Sequence, residues 1–390
     1  MCRGFKAAGV AAGIKKDNKK DLGIIVSETP ATVAGVFTKN RVQAAPVRLD
    51  RQRLQGGVCR AVIANSGNAN CCTGGKGMTD ALAMGRFVSE ALSVDDDAVM
   101  VASTGVIGRP LPIETVGAAM PQLLASLSEE KMADFAESIL TTDTQAKVVT
   151  RYADIDGKSF CVTGVAKGAG MIRPDMATML CFVCTDIGID PAALQQALNV
   201  ANDRSFNRIT IDGDTSTNDT VLVLANGMSG VRADNPEPLN RFRQILDEVL
   251  MELAKMIVKD AEGATKCVTI SVANAASEAD ARQVADTVAH SNLVKTALFG
   301  EDANWGRIIA AMGRAGVAFD PEAVAIDFGD VRMVENGMGC GDAAEEKAAA
   351  VLRRPEFDIR MDLKAGKASA SVLTCDFSVD YVKINADYRT

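Results

Sequence analysis

Four stretches of the sequence combine glycine, hydroxyl and amide residues more densely than packing requires. Glycine admits positive φ angles and lets backbone N–H groups approach a ligand closely, which suits an anion cradle or an oxyanion hole. None of the four has Walker A spacing, and no GxGxxG motif follows a predicted strand. Taken singly, each is more typical of a turn than of a site. The segments are ANSGNANCCTGGKG (64–77), STGVIGRP (103–110), KGAGMIRPDMATML (167–180) and DGDTSTNDT (212–220).

The segment 167–180 contains a threonine in an unusual context. Thr178 begins an apolar run, where threonine ordinarily serves for its β-propensity. Activation of its hydroxyl needs a base, and the chain has one histidine, His290, which excludes mechanisms that rely on two or three histidines. One solution is an N-terminal threonine, because its own α-amine has an ordinary pKa of about 7.7–8.0 and can accept the proton. The residues permit this chemistry, and it requires the chain to be cut before Thr178.

Ten cysteines in a chain without a signal-peptide pattern predict free thiols in a reducing compartment, and hence a cytoplasmic protein. Cys181 and Cys184 form a CFVC motif, which would need two further ligands to bind structural zinc. Cys71 and Cys72 lack suitable spacing for that role, so we predict no metal site. The favoured interpretation of CFVC is a buried strand, because free cysteine behaves as a small hydrophobic residue. A non-enzymatic thiol or metal-binding module is the competing hypothesis.

Composition and charge narrow the class of protein further. The chain has 390 residues, of which 47% are hydrophobic and 24% charged, and its formal net charge is −8. These values are ordinary for a soluble globular protein of two domains. One tryptophan, three tyrosines and the lack of a dense Lys/Arg stripe argue against nucleic-acid binding. No apolar run reaches 18 residues, so we predict no membrane span.

Strand and helix patterns indicate the elements that must position the four segments. Runs rich in Val and Ile predict strands at Leu22–Val26, Val33–Phe37 and Thr178–Cys184, among others, and helical periodicity appears at about 237–259. Hairpin-like strand pairs with separated helices predict mixed α/β layers with largely antiparallel sheets. A regular Rossmann alternation is disfavoured.

The segment 167–180 resembles the self-cleavage motif of the ornithine acetyltransferase (glutamate N-acetyltransferase) family of arginine biosynthesis. Further motifs resemble this family in the expected order over essentially the whole chain. They are GFKAAGVAAGIK, AGVFTKN, AAPV, ANSGNAN, STGVIG, TTDT, DGDTSTNDT, GEDANWGRI and NADYRT.

The resemblance implies a precursor of the N-terminal-nucleophile type that cuts itself between Ala177 and Thr178. The products would be an α chain of residues 1–177 and a β chain of residues 178–390, intertwined in one layered core and assembled as an α2β2 heterotetramer. A smaller C-terminal domain is expected from about residue 236 to residue 390.

The resemblance also implies a ping-pong reaction. The acetyl group of N-acetylornithine moves to the Thr178 hydroxyl, ornithine leaves, and glutamate takes the acetyl group to give N-acetylglutamate. Thr104 and Gly105 match the oxyanion-hole pair of the family. No cofactor is implied, and the use of acetyl-CoA as a co-substrate is left open. The positions that match substrate contacts are Thr141, with Thr142 as the alternative, and Lys167, Thr178, Glu262, Asn385 and Thr390.

An N-terminal-nucleophile amidase or aminopeptidase is the alternative enzyme. It would use the same Thr178 but transfer the acyl group to water. That hypothesis leaves the matches at Glu262 and at the C-terminus unexplained.

Overall fold

The structure is a computed structural model that describes residues 2–173 and 179–387. The chain divides into two compact units. The first contains the residues up to Asn207 together with Asp214–Ile257, and the second contains Arg208–Gly213 together with the residues from Val258 onward. The division into two chains at residues 177 and 178, with a smaller C-terminal domain from about residue 236, stays a prediction.

The described part of the chain is built from both strands and helices. The strands are β1 (Phe5–Val10), β2 (Leu22–Phe37), β3 (Val58–Asn65), β4 (Val99–Ser103), β5 (Lys147–Ile155), β6 (Lys158–Lys167), β7 (Leu180–Thr185), β8 (Ile209–Thr210), β9 (Thr220–Ala225), β10 (Cys267–Ala275), β11 (Ala325–Phe328), β12 (Val331–Glu335), β13 (Met338–Gly339), β14 (Glu356–Asp362) and β15 (Ala368–Cys375). The helices are α1 (Ala45–Arg53), α2 (Gly74–Leu92), α3 (Ile113–Ala125), α4 (Met132–Ser138), α5 (Pro191–Arg204), α6 (Pro236–Lys259), α7 (Glu278–Ala289), α8 (Asn292–Phe299), α9 (Trp305–Gly313), α10 (Asp342–Leu352) and α11 (Val379–Asp387).

One sheet organises the first unit. Its strand order is β4-β3-β2-β9-β7-β6-β5, and β1 pairs with β2. The pairs β3 with β4 and β7 with β9 are parallel, whereas the other pairs are antiparallel. The prediction of mixed α/β architecture with largely antiparallel sheets is confirmed.

The long strand β2 connects two halves of this sheet. Leu22–Val26 pairs with β1 and β3, whereas Thr32–Phe37 pairs with β9, and the register shifts between Val26 and Ala31. The two strands predicted for this stretch are therefore one. The sequence pattern breaks at SETP (27–30), three polar residues and a proline, while the backbone stays extended through them.

The two halves of the sheet form successive layers. Val62 of β3 shares a core with Phe182 of β7, whereas its neighbour Ile63 points to the opposite face and packs among residues of α2 and α3. On the far side, Gly164 of β6 lies against Val249 of α6 so closely that a Cβ would fall 2.8 Å from its Cγ1. The first unit is therefore layered as helices, sheet, sheet and helices.

The second unit contains a seven-stranded sheet in the order β13-β12-β11-β14-β10-β15-β8. The pairs β10 with β14 and β15 with β8 are parallel, and the others are antiparallel. Its apolar core joins the sheet to α7, α9 and α10. Among all the described helices of the chain, none combines the length and the apolar character needed to cross a bilayer.

Candidate active site

Three of the four glycine-rich segments meet where strands end. Asn65 and Ser103 are paired at the ends of β3 and β4. The Asn218 side-chain amide, which precedes β9, donates to the carbonyl oxygens of Ala69 (2.6 Å) and Ser103 (2.8 Å). The buried Asn218 amide therefore ties the segments 64–77, 103–110 and 212–220 together.

The fourth segment is anchored to the same place on both described sides. Ile172 forms a β-bridge with Thr215, whose hydroxyl donates to the Arg173 carbonyl at 3.0 Å. The Thr220 N–H donates to the Met179 carbonyl at 3.0 Å. The predicted cleavage residues Ala177 and Thr178 lie outside the described residues, as does Thr390.

Thr104 and Gly105 lie directly after β4 in a turn that only glycine can make comfortably. The Thr104 N–H donates to the Asn65 carbonyl at 3.0 Å. Gly105 has a φ angle of +129°, and a Cβ there would lie 2.4 Å from the carbonyl carbon of Gly67 and 2.6 Å from the Asn68 nitrogen. Two main-chain segments thus touch at Gly105, which fixes the path of the backbone beside the Thr104 hydroxyl.

Lys167, the last residue of β6, contacts two threonines that were predicted as site residues. Its ammonium donates to the Thr141 hydroxyl at 2.8 Å and to the Thr104 hydroxyl at 3.3 Å. Lys167 is buried, with 7% of its surface exposed. A cation and two hydroxyls in a partly dehydrated setting can bind a carboxylate or a developing oxyanion. We call Thr104, Gly105, Thr141 and Lys167 the lysine cluster.

Asp143 and Lys147 extend the lysine cluster, and the sequence reasoning missed both. Asp143 Oδ1 accepts hydrogen bonds from Lys147 Nζ (2.8 Å) and the Gly168 N–H (2.6 Å), and Oδ2 lies 3.9 Å from Lys167 Nζ. Burial disfavours the charged carboxylate, but Lys167, Lys147 and the Gly168 N–H lower the pKa of Asp143 to about 2. The signal in the sequence was the Asp of TTDT with a Lys four residues further on, a spacing too common to single out.

Lys15 is a third cation at this place, besides Lys167 and Lys147. Its ammonium donates to the carbonyl oxygen of Leu140 at 2.7 Å, directly before Thr141. Burial lowers the pKa of Lys15, the nearby charge of Asp21 opposes that change, and the charge of Lys167 adds to it.

In the second unit, two other residues that were predicted to contact substrate form a hydrogen bond with each other. Asn385 of α11 donates its side-chain amide to Glu262 Oε2 at 2.8 Å. Glu262 follows α6 and is buried, with 7% of its surface exposed. Gly263 has a φ angle of +66°, and a Cβ there would lie 2.5 Å from the Tyr381 nitrogen, so the Glu262 turn packs directly on the start of α11. A buried carboxylate that accepts an amide N–H keeps lone pairs for a cationic ligand.

The cysteines form no disulfide bonds in the structure. All ten are free, and Cys181 and Cys184 are fully buried in β7, where burial raises both pKa values. This agrees with the buried-strand interpretation of CFVC. Within residues 2–173 and 179–387, no three His, Cys, Asp or Glu side chains are grouped to hold a metal ion.

Comparison with known proteins gives consistent matches along the whole chain. The arginine biosynthesis bifunctional protein ArgJ of Geobacter sulfurreducens is 50% identical over 390 residues, which cover 100% of this chain and 99% of that protein. The protein of the same name from Syntrophotalea carbinolica is 52% identical, with 99% of each chain covered. The crystal structure of arginine biosynthesis bifunctional protein ArgJ from Bacillus halodurans matches with a TM-score of 0.51 and 40% identity, over 53% of this chain and 98% of that chain.

The sequence profile described as the ArgJ family matches residues 6–390. The relatives named above match over nearly the same residues at about half identity. The chain therefore belongs to the ArgJ family.

Proposed function

We propose that this protein transfers the acetyl group of N-acetylornithine to glutamate through an acetyl ester on Thr178. The Thr178 hydroxyl attacks the acetyl carbonyl and gives its proton to the α-amine of the same residue. That proton passes to the leaving nitrogen, and ornithine departs as the amine. The amine of glutamate then attacks the ester and gives a proton to the α-amine of Thr178. That proton passes to the departing Thr178 oxygen, and N-acetylglutamate leaves with the hydroxyl restored.

The observation that carries this proposal is the contact of Lys167 with the Thr141 and Thr104 hydroxyls. Segment 212–220 anchors both described sides of residues 174–178. The Asn218 side chain of that segment also holds Ser103, directly before Thr104 of the lysine cluster. A nucleophile in that gap would have the Thr104 hydroxyl and the Gly105 N–H as candidate donors to the tetrahedral oxyanion.

The charges suit amino-acid substrates. We assign the substrate carboxylate to Lys167, because a buried ammonium forms strong charge-assisted hydrogen bonds to carboxylates. Glu262 and Asn385, which share a hydrogen bond, are assigned to the substrate as well, because a carboxylate suits the cationic amine of ornithine. Thr390 would complete this set.

Self-cleavage before Thr178 would provide the α-amine that serves as the base. The Bacillus halodurans chain matches over nearly all of its own length but covers just over half of this chain, which is the length expected of one cleavage product. We propose an α2β2 assembly of the products. The ten free thiols support a reducing compartment such as the cytoplasm.

Two measurements test the cleavage and the transfer. Denaturing electrophoresis with mass spectrometry should give one fragment ending at Ala177 and one beginning at Thr178, and Thr178→Ala should stay intact. Incubation with N-acetylornithine and glutamate should yield N-acetylglutamate and ornithine. Release of acetate and ornithine alone would favour the amidase instead.

The word "bifunctional" in the names of the relatives supports a second activity. We propose acetyl-CoA as the second acetyl donor to glutamate. Labelled acetyl-CoA with glutamate should give labelled N-acetylglutamate that the Thr178→Ala variant does not form. No labelled product from the cleaved wild-type protein would restrict it to transfer between amino acids.

A further inference from the structure

The carboxylate of Asp143 touches four groups of the lysine cluster and its surroundings. Besides Lys147, Lys167 and the Gly168 N–H, it accepts the Thr141 N–H at 3.1 Å. The side chains of Asp143 and Lys147 are completely buried. Asp143 therefore contacts three places in the chain: the end of β6, the start of β5, and the segment that connects α4 to β5.

Stability alone does not account for this arrangement. A buried ion pair loses the hydration of both charges, and a well-packed apolar pair of similar volume is often as stable or more stable. The Asp143 carboxylate also accepts hydrogen bonds from the main-chain N–H groups of Thr141 and Gly168, on two sides of the lysine cluster. A negative charge is thus held next to Lys167, the residue that contacts both predicted threonines.

We infer that Asp143 is a positioning residue: it fixes the Lys167 ammonium beside the Thr141 hydroxyl and holds the main chain at Gly168, where the predicted cleavage segment leaves β6. This inference rests on the proposed function, because Lys167 is assigned there to the substrate carboxylate. Loss of the Asp143 charge should weaken the binding of both amino-acid substrates more than it slows acetyl transfer.

The charge on Lys167 also depends on its neighbours. Among the described residues, Asp143 faces it with the opposite charge, and Lys15 and Lys147 lie nearby with the same charge. Replacement of the carboxylate by a neutral amide leaves the buried ammonium easier to deprotonate. The alkaline limit of substrate binding should consequently move to lower pH.

Three variants separate positioning from a structural role. Asp143→Asn removes the charge and leaves Lys147 buried without it. The double variant Asp143→Asn with Lys147→Met removes both charges of the buried pair and should recover thermal stability. Asp186→Asn is the matched control, because Asp186 is a buried carboxylate that accepts the Cys161 N–H at 2.8 Å near the other end of β6.

We expect Asp143→Asn and the double variant to raise KM for N-acetylornithine and for glutamate at least tenfold, with kcat changed less than threefold. Their alkaline KM limit should lie at lower pH, while Asp186→Asn keeps wild-type values. Recovery of KM together with stability in the double variant would overturn the inference, and so would an unchanged KM in Asp143→Asn. Hydrogen exchange at the Gly168 amide should become faster in both Asp143 variants. Unchanged exchange would contradict the positioning role. This measurement does not depend on whether the wild-type protein transfers acetyl groups. A wild-type protein without transfer activity would instead contradict the proposed function.

Discussion

At the Asp143 carboxylate, burial and neighbouring charge shift the pKa in opposite directions, and the neighbouring charges prevail. Burial would raise the pKa, but Lys167, Lys147 and the Gly168 N–H lower it from 3.8 to about 2. The unfolded chain therefore binds a proton more readily than the folded one, so the ionised carboxylate stabilises the fold above about pH 4 and loses this effect as the pH falls towards 2. The contribution is on the order of 2 kcal/mol. Urea unfolding of the wild type and Asp143→Asn should give stability differences that shrink by about this amount between pH 5 and pH 2, and a difference independent of pH would contradict the assignment.

The thiols give a second prediction at the residue scale. Cys72 and Cys340 are exposed and the other eight cysteines are buried. Burial raises the pKa of Cys59 to about 12 and raises those of Cys181 and Cys184, so these thiols are neither accessible nor ionised near neutral pH. Iodoacetamide at pH 8 should label two cysteines in the native protein and ten after denaturation, as counted by mass spectrometry. Native labelling of Cys181 or Cys184 would revive the thiol-module hypothesis.

At the scale of elements, the turn after β4 contains two glycines with backbone angles that would strain most other residues, and only one of them also lies against another main-chain segment. Gly105 and Gly108 both have positive φ angles, +129° and +81°. A Cβ at Gly105 would collide with the main chain at Gly67, whereas a Cβ at Gly108 would meet no atom within 4 Å. Gly105→Ala should therefore displace the Thr104 turn and lower kcat at least a hundredfold, while Gly108→Ala costs only about 1 kcal/mol of stability. Steady-state kinetics with thermal unfolding of both variants tests this, and equal activity of the two would remove Gly105 from the proposed oxyanion hole.

Sequence patterns predicted elements better than they predicted contacts. The Val- and Ile-rich runs located strands such as β7, and the helical period located α6 to within one residue at its start. The continuity of β2 could not be predicted, because residues 27–30 look like a turn while pairing with neighbouring strands keeps β2 extended. Asp143 was equally hidden, since its role depends on Gly168, 25 residues away. Such long-range partners leave no periodic signal in one sequence.

At the scale of the whole molecule, the predicted cut would separate β6 from β7, which are paired neighbours in one sheet. β6 pairs with β7 from Val162 opposite Thr185 to Lys167 opposite Leu180, and β7 also pairs along its length with β9. An α chain of residues 1–177 would end after β6, so without the β chain it would expose the edge of β6 and the apolar face that packs on Phe182. The β chain alone would lack β2, the other neighbour of β9.

Cleavage should therefore leave the two chains inseparable without denaturant. Size-exclusion chromatography of the cleaved wild type should give one peak that contains both chains in equal amounts, at the same volume as uncut Thr178→Ala. Urea should separate them, and residues 1–177 expressed alone should aggregate, because burial of the shared core contributes roughly 25 cal/mol for each Å² of apolar surface and neither chain can complete that core. Two separate native peaks would mean that the pairing of β6 with β7 does not hold the chains together.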